Sequence, residues 1–359
     1  MVLAACLVVL LTIAPLYLHG RPGRVWMVTP LQPGLAHFGT DGHDLVAVWG
    51  TGEVAILDAR TGQPRVASQF TSAFPLLAEP VVFEGKALLG SDDGRVRELN
   101  LTTGAKTWEF ATGGAVRARA ARAGDLLLVG SDDGGLYCLE ESTGLALWRA
   151  ECGGKIGAEA AIGGASHAVV GTVDNGIVGV TWGPVALPHD TQGLGVTAQW
   201  RVPTAAPALA PAAAAKDGQV AVVGTDEGRV YLLDSTTGTV RGTADMAGLV
   251  RCRPVALADR ALAVDCAGRV VAVGLDGKEL WVHGVAGPIT AGLVLHGDRV
   301  YLGTGRGEVV ALQVSDGRRV WHCHLPGPAA GSLQVLDGLV IAGLSDGRIC
   351  AFRLPAEGS

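Results

Sequence analysis

Several residue types are scarce in this sequence, and each scarcity removes a class of function. Aromatic residues make up 5% of the 359 residues, and lysines are few. The 28 basic and 34 acidic residues give a net charge of -6 and form no long run of one sign. A surface that binds nucleic acid needs clustered basic side chains to displace counterions. The charge pattern therefore excludes nucleic acid as a partner.

The seven cysteines are scattered, and neither CxxC nor CxxCH occurs. This spacing excludes zinc-ribbon, thioredoxin-like and covalent c-type haem sites. Cys252 and Cys266 could face each other across one predicted hairpin and form a disulfide, or they could be two small buried thiols. The cysteines thus leave the redox compartment open.

The N-terminus is an uncharged apolar stretch, MVLAACLVVLLTIAPLYL, over residues 1–18. A helix that rises about 1.5 Å per residue just crosses a hydrocarbon core at this length. No small-x-small cleavage site followed by a polar stretch is present, so we expect residues 1–20 to be an uncleaved membrane anchor or a signal segment. Leu3-Ala4-Ala5-Cys6 is similar to a lipobox that would carry a lipid on Cys6. The apolar run follows that cysteine, which is the wrong order unless translation begins upstream.

Glycine, in contrast, is abundant and recurs with a fixed period. Three segments align as GSDDGRVRELNLTTGAKTW (90–108), GSDDGGLYCLEESTGLALW (130–148) and GTGRGEVVALQVSDGRRVW (303–321). The first turn glycine of each unit lies at Gly52, Gly94, Gly134, Gly176, Gly228, Gly268, Gly307 and Gly347. The intervals are 42, 40, 42, 52, 40, 39 and 40 residues. A period near forty with several short strands in each unit predicts the blades of an all-β propeller, with a positive φ at these glycines.

A tryptophan closes most of the units. These residues are Trp108, Trp148, Trp200, Trp281 and Trp321, with Val66 and Gly242 at the equivalent positions of the first and fifth units. An indole ring at this point can fill the gap between adjacent blades while its N–H finds a backbone acceptor. We therefore expect a structural docking role for these tryptophans.

The two ends of the chain complete one unit between them. The eighth unit, GLSDGRICAFRLP, ends before its closing strand, while Gly23-Arg24-Val25-Trp26 repeats the closing pattern of the seventh. Trp26 precedes Gly52 by 26 residues, which is also the distance from Trp108 to Gly134. The first strand is thus predicted to complete the last of eight four-stranded blades and remove the free edges of the ring. We expect one propeller domain over residues 23–355.

The pattern G-x-x-x-G-x-V-x-A-L-x-x-x-x-G-x-x-x-W resembles the PQQ-type repeat of quinoproteins. Gly303, Gly307, Val309, Ala311, Leu312, Gly317 and Trp321 carry it most completely. The resemblance covers nearly everything after residue 23. The family includes dehydrogenases that bind pyrroloquinoline quinone and calcium at the ring centre. Its non-enzymatic branch is similar to BamB, an eight-bladed scaffold lipoprotein of outer-membrane protein assembly.

The enzymatic branch fits less well. Its members are longer and often carry adjacent cysteines beside the cofactor, and this chain has no such pair. No Asp or Glu stands out from the turn positions, although an enzyme of this type needs a carboxylate base beside a metal. The sequence therefore predicts no catalytic residue, no cofactor site and no metal site.

Three local features of the sequence are candidate metal or binding sites. Asp92-Asp93 and Asp132-Asp133 fit turn chemistry better than calcium ligation, because no Glu follows at the EF-hand spacing. His322 and His324 point to the same face of a strand, but two histidines are an incomplete metal site. Residues 183–199, GPVALPHDTQGLGVTAQ, lengthen the fourth unit, and a binding loop and a neutral insertion are equally compatible with them.

The resemblance implies a membrane-tethered, extracytoplasmic scaffold, periplasmic or at the cell surface, whose partners are proteins of a membrane or envelope complex. The positive-inside rule, applied to Arg21 and Arg24 alone, favours the opposite orientation. A quinone-dependent dehydrogenase and a ligand-sensing ectodomain with a small molecule in its channel are the alternatives.

Overall fold

The computed structural model describes residues 24–354, apart from residues 67–69, 175, 188–190, 216–217 and 337. The regular secondary structure in these ranges consists of thirty-two β-strands. Within the same ranges, no helix has the length and apolar character needed to cross a membrane. The predicted anchor, residues 1–18, lies outside the described residues.

After β1 (Arg24–Val28), the strands follow one another in units of four, which we number in chain order. Unit 1 contains β2 (Ala36–Thr40), β3 (Asp44–Trp49), β4 (Val54–Asp58) and β5 (Pro64–Val66). Unit 2 contains β6 (Val81–Phe83), β7 (Lys86–Gly90), β8 (Arg95–Asn100) and β9 (Lys106–Ala111). Unit 3 contains β10 (Ala121–Ala123), β11 (Leu126–Gly130), β12 (Gly135–Glu140) and β13 (Ala146–Glu151). Unit 4 contains β14 (Ala161–Gly163), β15 (His167–Thr172), β16 (Gly176–Leu187) and β17 (Thr191–Val202).

The second half of the chain repeats this order. Unit 5 contains β18 (Ala213–Ala214), β19 (Val220–Gly224), β20 (Arg229–Asp234) and β21 (Val240–Asp245). Unit 6 contains β22 (Val255–Ala256), β23 (Arg260–Val264), β24 (Arg269–Gly274) and β25 (Glu279–Gly284). Unit 7 contains β26 (Ile289–His296), β27 (Arg299–Thr304), β28 (Glu308–Gln313) and β29 (Arg319–His324). Unit 8 contains β30 (Ala329–Leu336), β31 (Leu339–Leu344) and β32 (Ile349–Arg353), together with β1.

Each unit is an antiparallel meander whose burial follows its residue pattern. In unit 2, β7 and β8 are apolar or covered on both faces, while β9 alternates between exposed and half-buried residues. Strands with two covered faces read as continuous apolar runs, and an edge strand alternates with a period of two. The first strand of each unit therefore lies innermost and the fourth lies at the rim.

The apolar core is divided among the junctions between neighbouring units. Within the described residues, eight separate clusters of buried side chains each span two consecutive units, including units 8 and 1. The innermost strand β2 contacts both β6 and β30. Six units are separate sheets, while units 7 and 8 are joined by one parallel pair, Ala291 with Gly331. The units therefore form a closed ring of the β-propeller type.

The ring is closed by the first strand. β1 pairs antiparallel with β32, with Trp26 opposite Ala351 and Val28 opposite Ile349. This is the pairing that the spacing of the tryptophans predicts. Trp26 and Val28 are buried in the cluster shared with unit 1.

Two predicted segments differ from the structure. The residue pattern of the third unit predicts its first strand at about residues 116–121, whereas the structure has β10 at Ala121–Ala123. The preceding residues bond to the neighbouring unit instead of to β11, because the Val116 N–H donates to the Ser91 carbonyl at 3.0 Å. Outside residues 188–190, the lengthened part of unit 4 is not a loop: β16 and β17 stay paired from Ile177 with Val202 to Leu187 with Thr191. Proline and glycine argue against a helix but are tolerated at the edges of a two-stranded ribbon.

Candidate functional site

The channel at the ring centre is lined by residues that occupy one repeated position. This position carries His37, Glu79, Arg119, Glu159, Pro211, Arg253 and Ser332 in units 1 to 6 and 8. Their neighbours Ala78, Ala118 and Ala158 are buried against the sheets. Since alternate residues of an extended chain point to opposite sides, the polar residues face the channel. The cavity that they enclose has a volume of about 640 Å³.

Four of these side chains form a continuous chain of ion pairs across the channel. The guanidinium of Arg119 lies 3.4 Å from Glu79 through Nε and 3.1 Å from Glu159 through Nη1. Nη1 of Arg253, from unit 6, lies 2.9 Å from Oε2 of Glu159. Units 2, 3, 4 and 6 are thereby connected through groups that carry no net charge together.

Unit 8 completes this network on the opposite side. Gln334 Nε2 donates to Glu79 Oε1 at 3.3 Å, and Ser332 Oγ donates to Glu79 Oε2 at 3.2 Å. The Phe38 N–H of unit 1 donates to Ser332 Oγ at 3.0 Å. Glu79 of unit 2 is therefore connected to unit 8 directly, and to unit 1 through Ser332.

Burial in the channel changes the titration of its side chains. Burial raises the pKa of Glu79, and the nearby Arg119 offsets this only in part. Burial alone would lower the pKa of Arg119, but the carboxylates of Glu159 and Glu79 outweigh it and raise that pKa. Burial lowers the pKa of His37. Desolvation disfavours the charged form of each group unless a partner of opposite charge compensates.

A second pair of arginines lies at the entrance to the cavity. Arg117 Nε lies 2.9 Å from Asp92, and its Nη1 contacts Asp132 of the next turn. Arg251 lies 2.8 Å from Asp226. These contacts join consecutive units on the face that carries the turn glycines. The Asp pairs are therefore used in turn and inter-unit contacts.

The quinone and calcium that the enzymatic branch binds do not fit these side chains. Calcium requires several carboxylate or carbonyl oxygens directed at one point. Glu79 and Glu159 direct their oxygens at arginines instead, and the arginines that could hold an anionic cofactor are ion-paired. Among the described residues, no group of three or more His, Cys, Asp or Glu is arranged to hold a metal ion.

The closing tryptophans lie between neighbouring units. The indole N–H groups of Trp108, Trp200 and Trp281 donate to the carbonyls of Glu141, Ser235 and Val314 in the following units, at 3.1, 3.2 and 3.0 Å. A Cβ on the glycine of the following unit would collide with the ring at four junctions. These pairs are Trp26 with Gly62, Trp108 with Gly144, Trp200 with Gly238 and Trp281 with Gly317. Trp321 packs beside Tyr301, with a centroid distance of 6.3 Å.

The junction between units 3 and 4 is built differently. Trp148 packs on Trp182 of the lengthened hairpin, with ring centroids 5.5 Å apart. Its buried indole Nε1, like that of Trp26, has no hydrogen-bond partner among the described residues. The hairpin thus replaces the glycine turn that receives the indole elsewhere.

The other sequence features lie outside the channel. The eight turn glycines all have a positive φ, from 77° at Gly228 to 100° at Gly268, as the repeat predicts. His322 and His324 share the exposed face of β29, where His324 Nδ1 lies 3.4 Å from Glu308. Cys252 and Cys266 are free thiols, and burial raises the pKa of Cys252 to about 12.

The ion-pair chain was not predicted from the sequence. Its signal was a charged residue at the same position of consecutive units, 40 residues apart from Glu79 to Arg119 and again to Glu159. These charges stand next to alanines at the start of an inner strand, where the repeat is otherwise apolar or small.

The closed ring of four-stranded units, with one repeat of turn glycine and closing tryptophan in most of them, defines a β-propeller of PQQ-like repeats. A family model matches residues 20–121, 92–248, 196–283 and 266–358, which together span nearly the whole chain. The chain belongs to the family that this model describes, the outer membrane protein assembly factor BamB.

Individual relatives agree with this assignment. The outer membrane protein assembly factor BamB of Salmonella typhimurium is 32% identical over 95 residues, which are 26% of this chain and 22% of that protein. The match thus spans about a fifth of that relative's length. Crystal structures of BamB from Moraxella catarrhalis (TM-score 0.72, 18% identity, 94% of this chain and 98% of that one) and of the computationally designed Ika8 protein (0.75, 17%, 90% and 97%) share the fold.

Proposed function

We propose that this protein is a membrane-tethered, extracytoplasmic scaffold that holds protein partners together in an envelope complex, as in outer-membrane protein assembly. The observation that carries the proposal is the family match over residues 20–358. The relatives are named as outer-membrane protein assembly factors, and a closed ring can present the loops of many units to a partner at once.

The architecture assigned to this role is an eight-bladed propeller in one domain, residues 23–355, with each four-stranded unit as one blade. In it the tryptophans and the turn glycines have an architectural role. The indole rings fill the gaps between blades, and the glycines permit the tight turns. The support is the contact of Trp108, Trp200 and Trp281 with the unit that follows each of them.

The tether in this proposal is the apolar segment of residues 1–18, which has the length of a membrane span. β1 begins only six residues after it, at Arg24. A fully extended chain covers at most about 3.6 Å per residue, so this connection would hold the rim of unit 8 within about 20 Å of the membrane.

The scaffold is proposed to be non-enzymatic. The carboxylates that a dehydrogenase would need as base and metal ligands, Glu79 and Glu159, are ion-paired with arginines in the channel. The same pairs already neutralise the charged groups that a sensed small molecule would contact in the cavity. The scaffold role therefore requires only the surfaces of the ring.

The test is in-cell crosslinking of the tagged full-length chain, followed by purification and mass spectrometry. A matched variant without residues 2–18 serves as the control for membrane attachment. We expect one stoichiometric set of membrane or envelope proteins with the full chain, and its loss with the shortened chain.

A preparation that contains no protein partner would contradict the scaffold role. The same purified protein is then mixed with pyrroloquinoline quinone and calcium, and reduction of an artificial electron acceptor by alcohols or sugars is followed. Dye reduction that depends on the quinone would establish the enzymatic alternative instead.

A further inference from the structure

Three large apolar side chains are exposed around unit 1, on the face that carries the turn glycines. Leu31 and Phe74 are each 51% exposed, and Leu35 is 38% exposed. Leu31 and Leu35 belong to the connection from β1 to β2, and Phe74 belongs to the connection from β5 to β6. Clustered exposed apolar groups of this size mark interaction sites on soluble proteins.

One turn brings the two connections together. The Gly50 N–H donates to the Leu35 carbonyl at 3.3 Å, and the Ser72 N–H donates to the Gly52 carbonyl at 3.0 Å. The carboxylate of Glu53, at the end of the same turn, lies near the backbone N–H of Leu31. Leu31, Leu35, Phe74 and Glu53 thus form one surface, which we name the unit-1 patch.

The repeat does not require these apolar residues. The equivalent connections after units 2, 3 and 4 carry Gly113-Gly114, Gly153-Gly154 and Ala205-Ala206. Elsewhere on this face, in the described connections, Leu249 is the other exposed large apolar residue. Departures from a repeat that collect on one face are typical of a binding surface.

Glu53 differs from three aspartates on this face. Asp92, Asp132 and Asp226 are neutralised by Arg117 or Arg251. Glu53 makes no ion pair with the described residues, and its Oε1 is buried without a hydrogen-bond partner among them. Burial raises the pKa of Glu53. A cation supplied by another molecule would neutralise the Glu53 carboxylate.

We propose that the unit-1 patch is the docking surface for a partner-protein segment that presents large apolar side chains beside a lysine or arginine. The apolar side chains cover Leu31, Leu35 and Phe74, and the cation lies against Glu53. Apolar anchors that surround one desolvated charge pair are the usual composition of an interface centre. This inference rests on the scaffold function and specifies which surface serves it.

The test places a photo-crosslinking residue, p-benzoylphenylalanine, in the full-length chain in cells. It replaces Leu31 or Phe74, and in control variants it replaces Leu145 or Leu280, which are 64% and 49% exposed at the rim. We expect one crosslinked partner from the two patch positions, at about ten times the control yield, a ratio that corresponds to about 1.4 kcal/mol of preference. Sequencing the crosslinked peptide should show Leu, Ile, Phe or Met beside Lys or Arg.

Three further variants test the chemistry with the isolated partner. Phe74→Ser and Glu53→Gln should each weaken the affinity by about tenfold, while Leu145→Ser should leave it unchanged. Equal thermal unfolding midpoints of the three variants and the wild type show that the fold is intact.

The outcomes separate this proposal from the scaffold role. Partners crosslinked only from Leu145 or Leu280 would overturn the unit-1 patch and leave the scaffold role standing. A crosslinked segment that is acidic or wholly polar would overturn the proposed chemistry. Absence of partners from all four positions, with none in the pull-down, would remove the scaffold role itself.

Discussion

Two neighbouring junctions of the ring solve the same packing problem in different ways. Between units 2 and 3, Trp108 lies against Gly144 in a turn with φ 71°, and its N–H donates to Glu141. Between units 3 and 4, Trp148 lies against Trp182, and its N–H has no described acceptor. The first junction is stabilised by a hydrogen bond, whereas the second is stabilised by buried aromatic surface.

The contrast between these two junctions shows how the repeat accommodates an insertion. The lengthened hairpin removes the glycine turn that would have received Trp148, and the same hairpin supplies the ring that replaces it. Trp148 is 8% exposed and Trp182 is 3% exposed, while Trp108 is only half-buried. Burial of a second indole thus offsets the lost hydrogen bond, because apolar area stabilises without requiring a fixed direction.

The largest expected effect is that of Trp148→Ala. It leaves a cavity beside Trp182, and it should lower the free energy of unfolding by about 4 kcal/mol. Trp108→Ala, the matched change at the other junction, should cost about 3 kcal/mol, because that ring is less buried. Urea unfolding of both variants measures the difference. An equal or larger loss for Trp108→Ala would contradict the contrast between the junctions.

Gly144→Ala should come next. Its Cβ would lie 2.4 Å from Cε3 of Trp108, and the backbone has a positive φ. Overpacking and backbone strain together should cost about 3 kcal/mol. Gly124→Ala is the control, since its φ of 63° is similar and nothing lies within 4 Å of the added atom. It should cost only about 1 kcal/mol, and equal losses would show that strain alone acts at Gly144.

Arg119 of unit 3 contributes to both junctions, because it is ion-paired with Glu79 of unit 2 and with Glu159 of unit 4. The pH dependence of the stability distinguishes these two partners. Because burial raises the pKa of Glu79 above the ordinary value of 4.5, the folded protein binds this proton more tightly than the unfolded chain. Its contribution to stability is therefore full below pH 4.5 and falls as the pH rises towards the folded pKa, by at most about 1.4 kcal/mol per pH unit.

Glu79→Gln should remove this slope from the variant's own unfolding free energy, so the difference between variant and wild type should change with pH when both are unfolded in urea from pH 4 to 8. Glu159→Gln, on the other side of Arg119, should keep it, because Glu79 is still present. A pH-independent difference between wild type and Glu79→Gln would show that ionisation of Glu79 is not linked to folding.

The smallest expected effect is that of Arg201→Ala. Arg201 donates to the carbonyls of Cys152 and Glu151 in unit 3, at 2.7 and 3.0 Å, and is exposed. Loss of these bonds should cost about 1 kcal/mol at the junction of units 3 and 4. Thr197→Ala, on the same strand and exposed, should change the unfolding free energy by less than about 0.5 kcal/mol. If Arg201→Ala lowered the unfolding free energy more than Trp148→Ala does, the expected order of the two contributions would be wrong.

Local sequence predicted the parts of this fold that depend on local chemistry. The glycine at each turn and the equal spacing from Trp26 to Gly52 and from Trp108 to Gly134 are readable because each repeats within about forty residues. The hairpin of unit 4 was not readable as a ribbon. Pro184 and Gly183 exclude a helix without choosing between a loop and an edge strand, and pairing with residues 191–196 decides it.

The channel was not predictable for a different reason. Arg253 and Glu159 are 94 residues apart and meet only when the ring has closed. Taken alone, each of these charged residues resembles a surface residue, because small neighbouring residues occur both at the surface and in the channel. The same holds for the unit-1 patch, where two connections from opposite ends of one unit become neighbours through Gly50–Glu53.

The pairing of β1 with β32 has a consequence for synthesis. Arg24–Val28 is synthesised about 325 residues before Ile349–Arg353. At about 5–20 residues per second, the first strand waits for tens of seconds before its partner exists. During that interval the apolar Trp26 and Val28 have no sheet to join, and a nascent chain that stops before residue 349 never provides one. The first strand of the ring is thus the last to be paired, and synthesis of β32 is the step that permits the ring to form.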